Sequence, residues 1–350
     1  AEIVIHKPRL LRRLLLGGSI AFAEGYADAD WDSPDLSALL TLLGSNIDHI
    51  NNQSGGHWMV ALVRRLGHWR NRNTRRGSRR NIAFHYDLGN DFYSHWLDPS
   101  LTYSAALFTR PDMTLTEAQM AKYRRLASAL DLSPGQRLLE IGCGWGGFAE
   151  LVARDYGCHV TAVTLSREQY DYARHRIQQA GLEDKVDIRL QDYRDVEGRF
   201  DRVASIEMFE AVGEEHWPTY FEALHNRLAP GGRAGLQIIT IDHAHFDYYR
   251  RNPDFIQSYI FPGGMLPSTR VLGEMLDQFG LILCDAMTFG PDYARTLGHW
   301  REAFENNWPK IEACGFDQRF RRLWRYYLAY CEAGFTTGRI DVGQYVIRRS

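Results

Sequence analysis

Long hydrophobic runs and paired cysteines are both missing from this sequence of 350 residues. No stretch approaches the roughly 18 consecutive apolar residues that a membrane-spanning helix needs, so we expect no transmembrane segment. The five cysteines are scattered, without the close spacing of a metal site or a disulfide framework. We therefore expect a chain that binds no metal and works in a reducing, cytoplasmic compartment.

Acidic residues are missing from the segment between Arg64 and Arg80, which carries eight arginines. Apolar side chains such as Trp69 lie among them. This mixture is typical of a surface that binds anionic lipid headgroups, although a solvated basic linker has the same composition. Together with helical patterns at 8–16 and 34–50, it predicts that residues 1–80 form an N-terminal accessory region that associates with a membrane.

Residues 81–350 show a regular alternation of strand and helix patterns. Capping boxes at 116–119 and 166–169 predict the starts of two helices. The alternation predicts an α/β fold, a mostly parallel, Rossmann-like sheet of seven strands with helices on both faces. The predicted strands are 137–141, 159–165, 186–190, 203–206, 233–239, 281–287 and 342–348.

A glycine-rich loop ends the first predicted strand and opens the next helix. Gly142 and Gly144 allow the backbone to turn tightly and approach a ligand, which the N-terminus of the helix also faces. Glu140 begins the pattern Glu-x-Gly-x-Gly-x-Gly, which ends at Gly146. A dinucleotide site would carry an acid after the second strand, where Val-Thr-Leu-Ser ends at Ser166. The pattern is instead typical of class I methyltransferases and predicts S-adenosylmethionine as the cofactor.

Gln191, Asp192 and Tyr193 follow the third predicted strand, where such enzymes contact adenine. A carboxylate can accept a hydrogen bond from the exocyclic amine, and an aromatic ring can stack on the base. A structural turn would explain Asp192 equally well.

Further segments follow, in order, the motifs of one enzyme family. They include Leu-Thr-Tyr-Ser at 101–104, Ile-Gly-Cys-Gly-Trp-Gly-Gly at 141–147, Met-Phe-Glu at 208–210 and Gly-Pro-Asp-Tyr at 290–293. These segments, with 84–93, 163–169, 191–195 and 259–263, resemble the cyclopropane fatty acid synthase family over residues 81–348. The cofactor-binding residues that the motifs and the resemblance imply are Tyr103, Ser104, Glu140, Gly142, Gly144, Trp145, Gly146, Thr164, Leu165, Ser166, Gln169, Gln191, Asp192 and Tyr193.

The resemblance implies a methyltransferase that acts on the double bond of an unsaturated fatty acyl chain in a phospholipid. The product would be a cyclopropane or a methyl-branched or otherwise methylated unsaturated fatty acid. The resemblance also implies a peripheral enzyme at the inner face of an anionic membrane, and a homodimer. No nucleic-acid partner is expected.

In this family a bicarbonate ion removes the proton, held by a cysteine, a glutamate, a histidine and a tyrosine. Glu210 and Tyr293 match two of these positions, but Ala105 replaces the cysteine and Gln237 replaces the histidine. Loss of the imidazole weakens an anion site by more than about 1 kcal/mol. The sequence therefore gives little support to bicarbonate as a cofactor.

Glu207 is an additional carboxylate close to Glu210. On a helical turn the two side chains would face the same way, and their repulsion would raise one carboxyl pKa. We hypothesise that one of them replaces bicarbonate as the base. The alternative is that Glu207 is an exposed or salt-bridged surface acid.

An aromatic insertion lies near 240–267, after the fifth predicted strand. Such rings can form the wall of an acyl-chain pocket and stabilise a cation. They could equally be a packed lid. The predicted substrate-binding residues are Phe246, Tyr249, Tyr259 and Phe261.

Three other functions stay open at this point. The arginine run is compatible with a nucleic-acid methyltransferase, but Ser-Ile-Glu-Met-Phe-Glu at 205–210 replaces the Asn/Asp-Pro-Pro-aromatic motif that such amino-methylating enzymes carry after the fourth strand. A non-catalytic lipid-binding protein and a methyltransferase of soluble small molecules are the other two.

Overall fold

A seven-stranded sheet organises the described part of the chain, and a separate two-stranded antiparallel sheet lies near its N-terminus. The structure, a computed structural model, describes residues 1–46 and 88–349. In the order β5-β4-β3-β6-β7-β9-β8, strands β3 to β7 are parallel, while β9 lies antiparallel between β7 and β8. The predicted sheet is thereby confirmed. The strands are β1 (Val4–Ile5), β2 (Trp31–Asp32), β3 (Arg137–Ile141), β4 (His159–Thr164), β5 (Val186–Leu190), β6 (Phe200–Ile206), β7 (Leu228–Ile241), β8 (Leu281–Thr288) and β9 (Ile340–Arg349).

Helices cover both faces of the sheet, and short 3-10 and π-helical turns connect several elements. The π-helical turn is Ile256–Ile260. The helices are α1 (Arg9–Ala27), α2 (Leu36–Ser45), α3 (Asn90–Ser94), α4 (Leu115–Ala129), α5 (Gly147–Tyr156), α6 (Arg167–Gln179), α7 (Trp217–Arg227), α8 (His243–Arg251), α9 (Thr269–Gln278), α10 (Gly290–Asn306), α11 (Trp308–Ala313) and α12 (Gln318–Thr336).

Both predicted capping boxes differ in detail from the structure. The first is formed by Thr114 and Glu117, whose side chains bond each other's backbone N–H groups, so α4 begins earlier than predicted. At the second, Ser166 caps α6, but the Gln169 side chain accepts a hydrogen bond from Thr164 instead of bonding the cap. Capping patterns thus predicted the presence of these helices better than the partners of their side chains.

The described part of the N-terminal region, residues 1–46, packs on α12. Leu10, Tyr26 and Trp31 belong to the same hydrophobic core as Trp324 of α12. Arg322 donates hydrogen bonds to the carbonyls of Tyr26 and Trp31 and to the Asp32 carboxylate. The predicted boundary at residue 81 and the arginine run lie outside the described residues.

Helices of the described ranges are all too short or too polar to cross a bilayer.

Replacement of Arg322 by Met should loosen the N-terminal region. The three hydrogen bonds end on partly buried groups, so we expect the free energy of unfolding to fall by about 1–3 kcal/mol, measured by chemical denaturation. Arg319→Met is the matched control, since its ion pair with Asp28 is half exposed and should contribute less than about 1 kcal/mol. Equal losses from the two variants would contradict this account of the docking.

Candidate active site

The site lies where the parallel strands end. In the glycine loop after β3, Gly142 and Gly144 have φ values of 81° and 53°. A Cβ atom on Gly142 would stand 2.7 Å from Met208 Cγ, so both the conformation and the close approach require glycine. Gly146 caps α5, whose first backbone N–H groups point toward the loop. This arrangement forms a cradle for a polar ligand.

A cleft opens beside the loop, between the ends of β3, β4, β5 and β6. It brings together five of the residues predicted to bind the cofactor, Gly142, Thr164, Leu165, Gln191 and Tyr193. Sequence reasoning did not predict its other lining residues as cofactor contacts, although Ile141, Val163, Arg194 and Met208 lie within the family motifs. These other lining residues are Ile141, Val163, Arg194, Met208, Ala211, Val212 and His216.

Glu140 is buried at the end of β3, next to the loop. Burial raises the pKa of its carboxyl to about 8, although the charge of Lys122 opposes the shift. Its Oε2 has no hydrogen-bond partner among the described residues. A buried oxygen of this kind suits a ligand that carries N–H or O–H groups, as S-adenosylmethionine does.

Several predicted cofactor residues hold the walls of the site in place. The Asp192 carboxylate caps the turn after β5 and forms a bidentate ion pair with Arg194, as the structural alternative for this residue required. Trp145 Nε1 donates to Asn90, and the hydroxyls of Tyr103 and Tyr327 lie 2.6 Å apart. The contact of Asp192 with adenine stays a prediction.

Lys122 is a site residue that the sequence did not reveal. Its side chain is fully buried, and its Nζ donates to Ser104 Oγ at 2.6 Å. Burial lowers the pKa of its ammonium to about 7, against the opposing charges of Glu207, Asp98 and Glu140. In the sequence, Lys-Tyr-Arg-Arg at 122–125 resembles a solvated helix face, so only the fold could show that Lys122 points inward.

Glu207 is held by donors from three different elements. Its Oε1 accepts from the backbone N–H of Ala105 at 2.8 Å and from Gln237 Nε2 at 2.7 Å, and its Oε2 accepts from the Tyr293 hydroxyl at 2.7 Å. The residue has a left-handed backbone with φ of 49° and is partly buried. It is therefore not a surface acid.

Glu210 lies in the 3-10 turn Phe209–Ala211 and carries the second carboxyl group. Its Oε1 accepts from the backbone N–H of Ile239 at 2.6 Å, and its buried Oε2 has no partner among the described residues. Burial, followed by the charge of Glu207, raises the pKa of Glu210 to about 8. Glu207 precedes the turn, so the predicted common helical turn is wrong. Burial raises the pKa of both carboxyls, but the three donors to Glu207 favour its ionised form, whereas Glu210 accepts a single bond.

The surroundings of Glu207 do not fit bicarbonate. The resemblance places the anion among positions 105, 210, 237 and 293, and the groups at 105, 237 and 293 donate to the Glu207 carboxylate. A free anion would have to displace that carboxylate and would be repelled by it.

The aromatic insertion divides between two cores. Phe246 packs with Trp217 in the core between α7 and the sheet, and Tyr249 borders the same core. Tyr259 instead contacts Glu24 of α1, and Phe261 packs edge-on against Tyr327 of α12. The four predicted substrate residues therefore do not form one wall, and Phe246 belongs to the packed interior.

The glycine loop, the strand order and the cleft define a class I methyltransferase that uses S-adenosylmethionine. The model of the mycolic acid cyclopropane synthetase family matches residues 73–345. The chain belongs to this family.

The chain is similar to proteins of known name and to proteins of known structure. It is 41% identical to tuberculostearic acid methyltransferase UfaA1 of Mycobacterium tuberculosis, over 99% of this chain and 83% of that protein. It is 38% identical to cyclopropane-fatty-acyl-phospholipid synthase of Escherichia coli K12, over 100% of this chain and 88% of that protein. The structure of mycolic acid cyclopropane synthase CmaA1 with SAH and CTAB superimposes with a TM-score of 0.73, at 33% identity, and covers 77% of this chain and 98% of that one.

The protonated state of Glu210 should show in the pH dependence of stability. Between pH 4.5 and about 8 the unfolded chain has lost a proton that the folded protein keeps, so this group makes stability fall as pH rises. Glu210→Gln removes that loss. Its melting temperature relative to the wild type should therefore increase from about pH 5 to pH 8 in calorimetry.

The exposed Glu222 of α7 provides the control for this comparison. Glu222→Gln should change the melting temperature by the same small amount at every pH. A similarly constant difference for Glu210→Gln would mean that Glu210 ionises normally.

Proposed function

We propose that this protein transfers a methyl group from S-adenosylmethionine to the double bond of an unsaturated fatty acyl chain in a phospholipid, with Glu207 as the base. Membership of the family and the names of the two enzymes above support the substrate class. The observation that carries the proposal is the Glu207 carboxylate, which occupies the position of an anion within reach of three donors.

The reaction requires an electrophile, a confined alkene and a proton acceptor. Bound S-adenosylmethionine would supply an electrophilic methyl group on its sulfonium. The π electrons of the alkene form the new carbon–carbon bond while the sulfur–methyl bond breaks, which leaves S-adenosylhomocysteine and a carbocation on the acyl chain. A proton must then leave the chain, and a nearby base accelerates this step.

Glu207 has the properties that this base needs. The three donors use three of the four lone-pair positions of its carboxylate, and the remaining one, on Oε2, can take the proton. Burial raises the pKa of this carboxyl, and the same three donors oppose that effect because they favour its ionised form. Because Glu210 is protonated, it adds no second negative charge to the site.

The altered anion site favours an open-chain product over a ring. Ala105 and Gln237 stand where the ring-forming members of the family are expected to have cysteine and histidine. With a different base, a hydride shift followed by proton loss gives a methyl-branched or methylene chain. One relative, 41% identical to this chain, is named a tuberculostearic acid methyltransferase rather than a cyclopropane synthase.

Mass spectrometry of lipids from cells that express the protein with labelled methionine tests this function. We expect labelled acyl chains about 14 mass units heavier, because one methyl group is added and one proton is lost. Retained unsaturation would support the open-chain product, whereas a cyclopropane fragment would overturn that part alone. Label in nucleic acid or soluble metabolites, with none in lipid, would overturn the substrate class.

Replacement of Glu207 by Gln should reduce kcat by about 10²–10⁴-fold, since the amide cannot accept the proton. Cofactor affinity, measured by calorimetric titration, should change little because the glycine loop is untouched. Unchanged turnover in the variant would exclude Glu207 as the base.

The N-terminal helix α1 supports peripheral binding to an anionic membrane. Leu11, Leu15 and Leu16 are 58%, 69% and 60% exposed, and the exposed Arg12 lies among them. Apolar side chains with neighbouring cations suit the headgroup region of an anionic bilayer. The contact between Tyr259 and Glu24 also joins α1 to the insertion expected to bind the acyl chain. The homodimer stays a prediction.

Leu15→Asp should weaken binding to liposomes that contain anionic phospholipid. We expect about a tenfold or larger loss in a sedimentation assay, because a leucine contact is replaced by a repelled charge. Leu283→Asp, at an exposed position on β8, is the matched control and should bind as the wild type does. If Leu15→Asp and Leu283→Asp bind the liposomes equally well, α1 does not contact the membrane.

A further inference from the structure

A chain of buried amides connects Glu207 to a cation near the protein surface. Gln237 of β7 and Gln344 of β9 are directly opposite each other across the antiparallel pair and are fully buried. Gln344 Nε2 donates to Gln237 Oε1 at 3.0 Å, and Gln237 Nε2 donates to Glu207 Oε1 at 2.7 Å. At the outer end, Arg125 Nη1 of α4 donates to Gln344 Oε1 at 3.2 Å.

The guanidinium of Arg125 determines the direction of this chain. An amide side chain can usually be turned over, with its oxygen and nitrogen exchanged. Arg125 can only donate, so the oxygen of Gln344 must face it and the NH₂ group of Gln344 must face inward. Gln237 must then accept from Gln344, which leaves its own NH₂ group to face Glu207. In each hydrogen bond from Arg125 to Glu207, the donor therefore points toward the Glu207 carboxylate.

The remaining polar groups of the two amides are also satisfied. The second N–H of Gln344 reaches the backbone carbonyl of Lys122 at 3.1 Å, and that of Gln237 points to the carbonyl of Ala105 at 3.5 Å. A buried network with all its members paired is rigid, and aligned hydrogen bonds polarise one another in a low-dielectric interior. Bonds that end on an ion are the stronger ones.

We infer that Arg125 and Gln344 are positioning residues for the reaction, which act through Gln237 to hold the Glu207 carboxylate in place and to keep it ionised. Neither residue is expected to touch the acyl chain or the cofactor. The inference rests on the proposed function in so far as Glu207 is the base. The orientation of the chain itself does not depend on that role.

Other groups also act on Glu207 and must stay constant in a test. Lys122 of α4 acts through its charge, Tyr293 of α10 through its hydroxyl, and Glu210 as the neighbouring carboxyl. Asp98 and Glu140 act on Lys122. Arg125 also forms a partly exposed ion pair with Asp285 of β8. The informative variants change only Arg125 and Gln344, the end of this hydrogen-bond network that is farthest from Glu207.

The carboxyl of Glu207 can be titrated directly in the full-length protein by infrared difference spectroscopy, with its band assigned from its absence in Glu207→Gln. Arg125→Met and Gln344→Leu remove donation toward the anion and should raise the carboxyl pKa by on the order of half a unit or more. Asp285→Asn removes the ion pair but leaves the chain intact, so it should cause no rise. Arg125→Lys restores a cationic donor and should recover most of the wild-type value.

If the Glu207 carboxyl has the wild-type pKa in both Arg125→Met and Gln344→Leu, the inference is overturned. If Gln344→Leu does not fold, as judged by circular dichroism, Arg125→Met and Arg125→Lys decide the question alone. The inference is also overturned if Asp285→Asn raises the pKa of Glu207 as much as Arg125→Met does, because the surface ion pair would then be the cause.

The pH dependence of kcat/KM separates this inference from the proposed function. Loss of activity on the acid side should move to higher pH by the same amount as the spectroscopic pKa, because a base must be deprotonated to act. If the spectroscopic pKa of Glu207 shifts and the pH profile of kcat/KM does not, Arg125 and Gln344 still position Glu207, but Glu207 is not the base.

Discussion

The proposed chemistry depends on one constraint, that a carboxylate in a partly buried site must stay ionised. Glu207 sits just beyond the end of β6, and its burial would favour the neutral acid if nothing opposed it. A backbone N–H, an amide and a phenol meet at its two oxygens from three separate parts of the chain. Ala105, between α3 and α4, Gln237 of β7 and Tyr293 of α10 each supply one of these donors. Glu210 has fewer donors, and burial together with the charge of Glu207 raises its pKa to about 8.

The N-terminal region and the site share their supports. Tyr293 packs on Phe335 of α12 with ring centroids 4.4 Å apart, and the same helix binds residues 1–46 through Arg322. The helix α1, whose exposed leucines we propose to contact the bilayer, is thus connected through α12 to Tyr293, which donates to the proposed base Glu207.

The competing functions differ in how they meet these observations. The glycine cradle and family membership oppose a lipid carrier without catalysis. A small-molecule methyltransferase needs no exposed leucine face such as that of α1. A nucleic-acid enzyme relies on basic surface, and the arginine run that suggested it lies outside the described residues. Binding and labelling of lipid therefore discriminate between them most directly.

The order of motifs along the sequence was enough to predict the sheet, the glycine loop and the cofactor, because each depends on neighbouring residues and on periodicity. It also indicated that positions 105 and 237 had changed and that Glu207 was new. It could not show that these changes compensate one another, since Ala105, Glu207 and Gln237 are far apart in the chain. Lys122, Arg125 and Gln344 gave no signal, because a charged helix face and a polar strand residue look the same whether they face water or the interior. Only the insertion of β9 beside β7 brought Gln344 within hydrogen-bonding distance of Arg125, the Lys122 carbonyl and Gln237.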